Sequence, residues 1–200
     1  MANSSTEKTR RMVVLSILTA LVVVLQLVAS NIMIGTFPLT LTLVPVVIGS
    51  ALCGPKAGAW LGSVFGVVVL IMCVIGVDAG GSVLWNANPF LTAVICVGKG
   101  ALAGFCAGLA YKAVAKKNSL GGVITAAVVS PVVNTGTFII GLTVLFNPIL
   151  VSWAGDAGSE VITYILVTLV GVNFLLELTI NLVLSTVIER IINYRVRRLA

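Results

Sequence analysis

Charged and amide side chains that could bind a polar solute lie within long apolar segments in the second half of the chain. Lys99 is 13 residues before Lys112, and Glu177 is 13 residues before Arg190. At about 1.5 Å per helical residue, both charges should lie roughly 20 Å from those basic residues, at one depth. A charge at that depth in a membrane costs about 2.5–3.5 kcal/mol, so each should have a partner or face a wet cavity.

Two asparagines should lie about one helical turn further from the basic residues. Asn134 is 17 residues after Lys117, and Asn173 is 17 residues before Arg190, which is roughly 25 Å along a helix. Thr135 directly follows Asn134. Together with the two charges, these residues predict a polar column that could hold a ligand. The structural alternative, an ion pair plus interhelical hydrogen bonds worth about 0.6 kcal/mol each, stays open.

One helical face of the last long segment carries three polar residues. Asn173, Glu177 and Asn181 are spaced by four residues and therefore form a stripe. Asn181 lies nearest to the basic end of that segment, and we interpret it as a structural hydrogen-bonding residue. The upper part of the stripe belongs to the predicted ligand site.

A second set of candidate binding residues lies in a predicted loop at about 77–89. Trp85, Asn86 and Asn88 combine an aromatic ring with amides, which could stack on a ligand and hydrogen-bond to it. Tryptophan is also enriched at membrane interfaces, so anchoring is the alternative role of Trp85. We include all three residues in the binding hypothesis.

The residues needed for common catalytic sites are missing from the sequence. There is no histidine, which excludes histidine-based triads and zinc-protease motifs. The Gly98-Lys99 pair lacks the rest of a phosphate-binding Walker A loop. The four cysteines lie in apolar segments without metal-site spacing, and we interpret them as reduced core residues. We therefore expect no enzyme activity, no cofactor and no metal site.

The composition is typical of a multi-span membrane protein. The chain is 59% hydrophobic and 9% charged, whereas a soluble domain has about 45–50% apolar and about 25% charged residues. The apolar segments predict one integral membrane domain, 1–200, built as an all-α bundle of six transmembrane helices. The predicted spans are about 12–30, 39–53, 57–76, 90–111, 123–146 and 161–190. A second loop is predicted at about 147–160.

The basic residues orient these six spans. Eleven of the twelve Lys and Arg residues, all except Lys99, would then lie on one side of the membrane. Positive charge marks the cytoplasmic side, so both termini are predicted to be cytoplasmic. Because the basic residues flank apolar spans, their partner should be the lipid bilayer rather than nucleic acid.

Two of the predicted spans carry glycines at intervals of four, which place a small residue on one helical face. The glycines are Gly58, Gly62 and Gly66 in the third span, and Gly100, Gly104 and Gly108 in the fourth. Such faces allow the backbone of a neighbouring helix to approach closely. We predict that both spans are packing helices.

Several short motifs follow one another in an order that is typical of a known family. They are Ser16-Ile17-Leu18-Thr19-Ala20, Phe37-Pro38-Leu39-Thr40, Pro45 followed by Gly54-Pro55-Lys56-Ala57-Gly58, Asn88-Pro89-Phe90, and Asn134-Thr135 after Pro131. In this order they resemble the substrate-binding S components of energy-coupling factor (ECF) transporters, which import vitamins into bacteria and archaea.

The resemblance implies a six-helix protein of the bacterial or archaeal cell membrane that binds a vitamin-type ligand. It also implies docking onto a transmembrane coupling subunit and two ATPase subunits, which would hydrolyse the ATP. The family contacts its coupling subunit through Ala-x-x-x-Ala on helix one, and Ser16 and Ala20 occupy those two positions here. Lys99 makes a small carboxylate such as pantothenate one candidate ligand. A neutral polar ligand is the other, if Glu177 neutralises the lysine.

A stand-alone secondary transporter is the alternative function. Lys99 and Glu177 would then form an ion or proton relay near the membrane midplane. The sequence shows no inverted repeat that would support such a transporter. Co-purification with ATPase and coupling subunits would separate the two functions.

Overall fold

The computed structural model describes residues 3–30, 33–34, 37–38 and 41–197, and almost all of them are helical. The helices are α1 (Asn3–Ala29), α2 (Leu43–Cys53), α3 (Pro55–Val74), α4 (Ala79–Ala87), α5 (Pro89–Val114), α6 (Ser119–Leu145), α7 (Asn147–Asp156), α8 (Val161–Tyr164) and α9 (Val172–Arg197). A π-helical segment, Ile165–Gly171, joins α8 to α9. Two short strands, β1 (Met33–Ile34) and β2 (Phe37–Pro38), pair antiparallel between α1 and α2.

Four helices in the described part of the chain are long and apolar enough to cross a membrane. They are α1 from Glu7 onward, α3, α5 and α6. The predicted second span corresponds to α2, a shorter apolar helix of 11 residues. The predicted sixth span is divided into α8, the π-helical segment and α9. Positions 39–40, where the second span was predicted to begin, and Arg198 lie outside the described residues.

The loop predictions at about 77–89 and 147–160 are wrong, because each segment contains a helix. Asp78 begins α4, and its Oδ1 accepts a hydrogen bond from the Gly81 N–H at 2.8 Å. Asn88 begins α5 in the same way, with its Oδ1 accepting from the Leu91 N–H at 3.1 Å. Pro148 lies in the first turn of α7, where a missing N–H breaks no helical hydrogen bond. Asp78 therefore caps the short helix α4 and Asn88 caps α5, whereas α7 has no side-chain cap.

The predicted glycine faces of α3 and α5 are confirmed, and they pack against each other. A Cβ atom on Gly62 would overlap the carbonyl of Gly100, and one on Gly58 would overlap the carbonyl of Gly104. In these two contacts the α3 glycine with the higher residue number meets the α5 glycine with the lower one, so the two helices are antiparallel. Gly108 lies against Pro55, where a Cβ atom would come within 2.6 Å of the proline Cα. This contact fixes the rotation of α5 about its axis.

Three buried apolar clusters hold the helices together. The first joins α1, α2, α3 and α5 around Phe65, and the second joins α4, α6 and α7 around Leu142. The third cluster contains Val123 and Ala126 of α6 and Ile188 of α9. It therefore fixes how α6 and α9 face each other. Cys53, Cys73 and Cys96 are buried free thiols, while Cys106 is half-buried and also free.

One narrow stripe of α1 faces the rest of the protein. Leu18, Val22 and Gln26 are buried at intervals of four residues. Near the end of α1, Gln26 Oε1 accepts a hydrogen bond from Thr42 Oγ1 at 2.7 Å. Ser16 and Ala20 are both exposed on a different face of the helix. The predicted partner-binding face is thus available on the surface.

Candidate functional site

Four buried polar side chains line the contact between α6 and α9. Ser130 and Asn134 of α6 are 0% and 5% exposed, and Glu177 and Asn181 of α9 are 5% and 1% exposed. Each has an oxygen without a hydrogen-bond partner in the described protein: Ser130 Oγ, Asn134 Oδ1, Glu177 Oε1 and Asn181 Oδ1. We call these four residues the α6–α9 polar face. Buried polar atoms are normally paired, so the set is a candidate ligand site.

The packing of α6 on α9 sets the register of this face. Ala126 and Ile188 belong to one buried cluster. Ser130 and Asn134 follow Ala126 by four and eight residues, and so extend the same side of α6. Asn181 and Glu177 precede Ile188 by seven and eleven residues, which places them on the facing side of α9. The two polar stripes therefore run side by side, away from the apolar cluster.

The Asn181 side chain is oriented by a hydrogen bond within its own helix. Its Nδ2 donates to the backbone carbonyl of Glu177 at 2.8 Å. This bond agrees with the structural interpretation made from the sequence. It also fixes which amide atom remains unpaired, because the carbonyl Oδ1 is then the atom without a partner. Asn181 consequently contributes both to the helix and to the α6–α9 polar face.

Lys99 does not form an ion pair with Glu177. Its Nζ lies 4.5 Å from the centroid of the Phe138 ring, in a cation–π contact. No ion pair of 4.0 Å or less joins Lys99 to Glu177 or Asp78, all of which the structure describes. The lysine is nevertheless close enough to act electrostatically on both carboxylates. One cation therefore acts on two buried acids without forming an ion pair with either.

A narrow cleft between α3, α4 and α5 receives the Lys99 side chain. Its polar lining consists of Cys73, Asp78, Thr92, Cys96 and Lys99. The cleft encloses about 20 Å³, which is room for one or two water molecules rather than a vitamin. Burial raises the pKa of the Asp78 carboxyl, and the Gly81 N–H and the Lys99 charge oppose that rise. The polar side chains of the cleft lie around Asp78, the residue that caps the start of α4.

The remaining predicted site residues lie at two different places. Asn173 is half-buried one turn above Glu177, and Thr135 is half-buried beside Asn134. Trp85 is half-buried against the Phe65 cluster. Asn86 and Asn88 are exposed, and the side-chain oxygen of Asn88 already accepts the hydrogen bond that caps α5.

Sequence reasoning missed Ser130 and the burial of Asp78. Ser130 precedes Asn134 by four residues, so the periodicity that grouped Asn173 with Glu177 would also have found it. Asp78 stands three residues before Gly81 at the start of a helix, the position of an N-cap.

A family model for the substrate-specific component of ECF transporters matches residues 10–189. The chain belongs to this family. No curated protein and no solved structure matches it. This S component is therefore a multi-pass membrane protein and the substrate-binding subunit of an ECF transporter, not an enzyme. S components work with a small-molecule substrate and with the ECF module. Both the α6–α9 polar face and the exposed face of α1 lie within the matched residues.

Proposed function

We propose that this S component binds a vitamin or related micronutrient at the α6–α9 polar face. The observation that supports this site is the set of four buried oxygens without partners. Burying an unpaired polar group costs about 1–3 kcal/mol, and a bound ligand that completed the hydrogen bonds would offset that cost. Asn173 and Thr135 would line the outer part of the same site. Trp85, Asn86 and Asn88 would stand nearer its entrance.

The protein would span a bacterial or archaeal cell membrane six times with both termini in the cytoplasm. In support, Arg10, Arg11, Lys112 and Lys116 line adjoining grooves at one end of the bundle, and positive charge favours the cytoplasmic side. Ser16 and Ala20 would contact a transmembrane coupling subunit, and two ATPase subunits would supply the energy. Small residues on an exposed helical face suit such close helix packing.

Mass spectrometry of small molecules that co-purify with the protein in mild detergent tests the proposed site. We expect one micronutrient-sized compound per wild-type molecule and much less in the Asn134→Ala variant. Pantothenate, a carboxylate that Lys99 could attract, is a candidate compound. Equal ligand content in wild type and in Asn134→Ala, Glu177→Gln and Asn181→Ala variants would place the site elsewhere, near Trp85 and Asn88.

A further inference from the structure

The unpaired atoms of the α6–α9 polar face are mostly hydrogen-bond acceptors. Asn134 Oδ1 and Asn181 Oδ1 are carbonyl oxygens that can only accept, and Glu177 Oε1 accepts when the carboxyl is ionised. The Asn181 amide cannot offer its nitrogen instead, because that nitrogen already donates to the Glu177 carbonyl. The Ser130 hydroxyl, the fourth unpaired group, can donate or accept. A ligand that completes these bonds must bring donors, chiefly N–H or O–H groups.

The charges around the site also favour a ligand whose hydrogen-bond donor carries a positive charge. Asp78 and Glu177 are 4% and 5% exposed, and Lys99 is the cation that acts on both. Asp156 is the last residue of α7 and Glu160 directly precedes α8, at the same end of the bundle as Asp78. The eleven other Lys and Arg residues of the sequence are the ones predicted to lie on the cytoplasmic side. The half of the protein that holds the site therefore carries four acids and one base.

We propose that the α6–α9 polar face selects a cationic nitrogen ligand, such as a protonated amine or an amino-substituted nitrogen heterocycle. Glu177 is the counter-ion of the ligand, and the Asn134 and Asn181 carbonyl oxygens accept its N–H groups. This inference rests on the proposed function, because it assumes that a ligand occupies this face. A carboxylate ligand would instead place a second negative charge beside Glu177, where burial makes like-charge repulsion costly.

Two isosteric or near-isosteric substitutions separate a cationic ligand from an anionic one without knowing its identity. Glu177→Gln removes the counter-ion, so the amount of ligand retained through purification should fall about tenfold or more. Lys99→Gln removes a competing cation, so retention should rise. For a carboxylate such as pantothenate, Lys99 would be the counter-ion. Ligand retention should then fall in Lys99→Gln and should not fall in Glu177→Gln. Asp156→Asn is the matched control, because it removes an exposed acid outside the α6–α9 polar face, where solvent screens its effect on the ligand.

A second measurement keeps the proposal testable if one variant folds poorly. The compound released from the wild-type protein is loaded on a cation exchanger at pH 7, and we expect it to be retained. A released compound that binds only an anion exchanger, or a loss of ligand in Lys99→Gln with full retention in Glu177→Gln, would overturn the cationic assignment and leave the proposed function intact. A wild-type protein that releases no small molecule would overturn both. Size-exclusion profiles report whether each variant is folded.

Discussion

Gly62 of α3 and Gly100 of α5 touch backbone to backbone. A Cβ atom on either residue would overlap the carbonyl oxygen of the other. No side chain separates the two backbones at this contact, so an added methyl group would push the helices apart. Gly98 lies two residues away on the same helix, and a Cβ atom there would meet nothing within 4 Å.

This pair of glycines on α5 gives a matched stability test. Gly100→Ala should lower the free energy of unfolding by about 1–3 kcal/mol, because overpacking forces the two backbones apart. Gly98→Ala should leave it unchanged or raise it by up to about 1 kcal/mol, since alanine is the better helix former. Thermal unfolding in detergent measures both. Equal melting temperatures for the two variants would contradict the close contact.

At pH 7, Asp78 should stabilise the protein through its cap, while the burial of its charge opposes that stabilisation. Asp78→Ala removes the acceptor of the Gly81 N–H and should cost about 1 kcal/mol. Asp78→Asn keeps an acceptor and removes a buried carboxylate, so it should cost little at pH 7.

The pH dependence of the Asp78 effect has a defined sign. Burial raises the pKa of this carboxyl above its ordinary value of 3.8. The folded protein therefore binds a proton more tightly than the unfolded chain. The resulting stabilisation is complete below the ordinary pKa and is lost as the pH rises through the raised pKa. Melting curves from pH 4 to pH 7 should show wild type falling relative to Asp78→Asn. Parallel curves would contradict the raised pKa of the Asp78 carboxyl.

Asn134 should contribute to ligand affinity more than to folding. Asn134→Ala, and likewise Asn173→Ala, should lose about 1–3 kcal/mol of binding free energy, because each leaves a ligand group unpaired. Titration calorimetry with the identified ligand measures the loss. Thr143→Ala is the control, since this exposed α6 hydroxyl bonds to its own helix at the Ile139 carbonyl. Wild-type affinity combined with a lower melting temperature would show that the asparagines are structural.

Ala20 should control assembly with the coupling subunit. Ala20→Trp adds a bulky ring to the exposed face shared with Ser16, and it should block complex formation and uptake while ligand binding persists. Val144→Trp is the control, because Val144 is 71% exposed on α6. Pull-down of the ECF module reports the outcome. Normal uptake by the Ala20 variant would exclude this face as the docking site.

Topology is testable by labelling introduced cysteines in intact cells. Asp78 is a poor position because it is buried, whereas Ala87 and Asn118 are both exposed at opposite ends of α5. An impermeant maleimide should label Ala87→Cys and spare Asn118→Cys. The reverse labelling pattern would place the termini outside.

The sequence predicts the apolar helices α1, α3, α5 and α6 and the contact between α3 and α5. Apolar length and small-residue periodicity both depend on local spacing alone. It does not predict α4 or α7. The glycines and amides of α4 resemble loop composition although the Asp78 cap favours a helix, and α7 begins with a proline in its first turn and has no side-chain cap. The depth of Lys99 can be predicted by counting residues, but the direction in which its side chain points cannot. Gly100 turns toward α3, and Lys99, its neighbour in sequence, is thereby directed to Phe138 rather than to Glu177. The rotation of α5 about its axis, which sets this direction, depends on tertiary packing.

The single buried stripe of α1 has a consequence for how the protein would exchange partners. The opposite side, which includes Ser16 and Ala20, would contact lipid tails before docking and another helix afterwards. Lipid tails are as apolar as a protein interior, so the hydrophobic effect gives no net drive for this exchange. The docked state would then be held by close packing alone, and release would require neither unfolding nor exposure of apolar surface to water. Reversible docking would then follow from the large exposed side of α1.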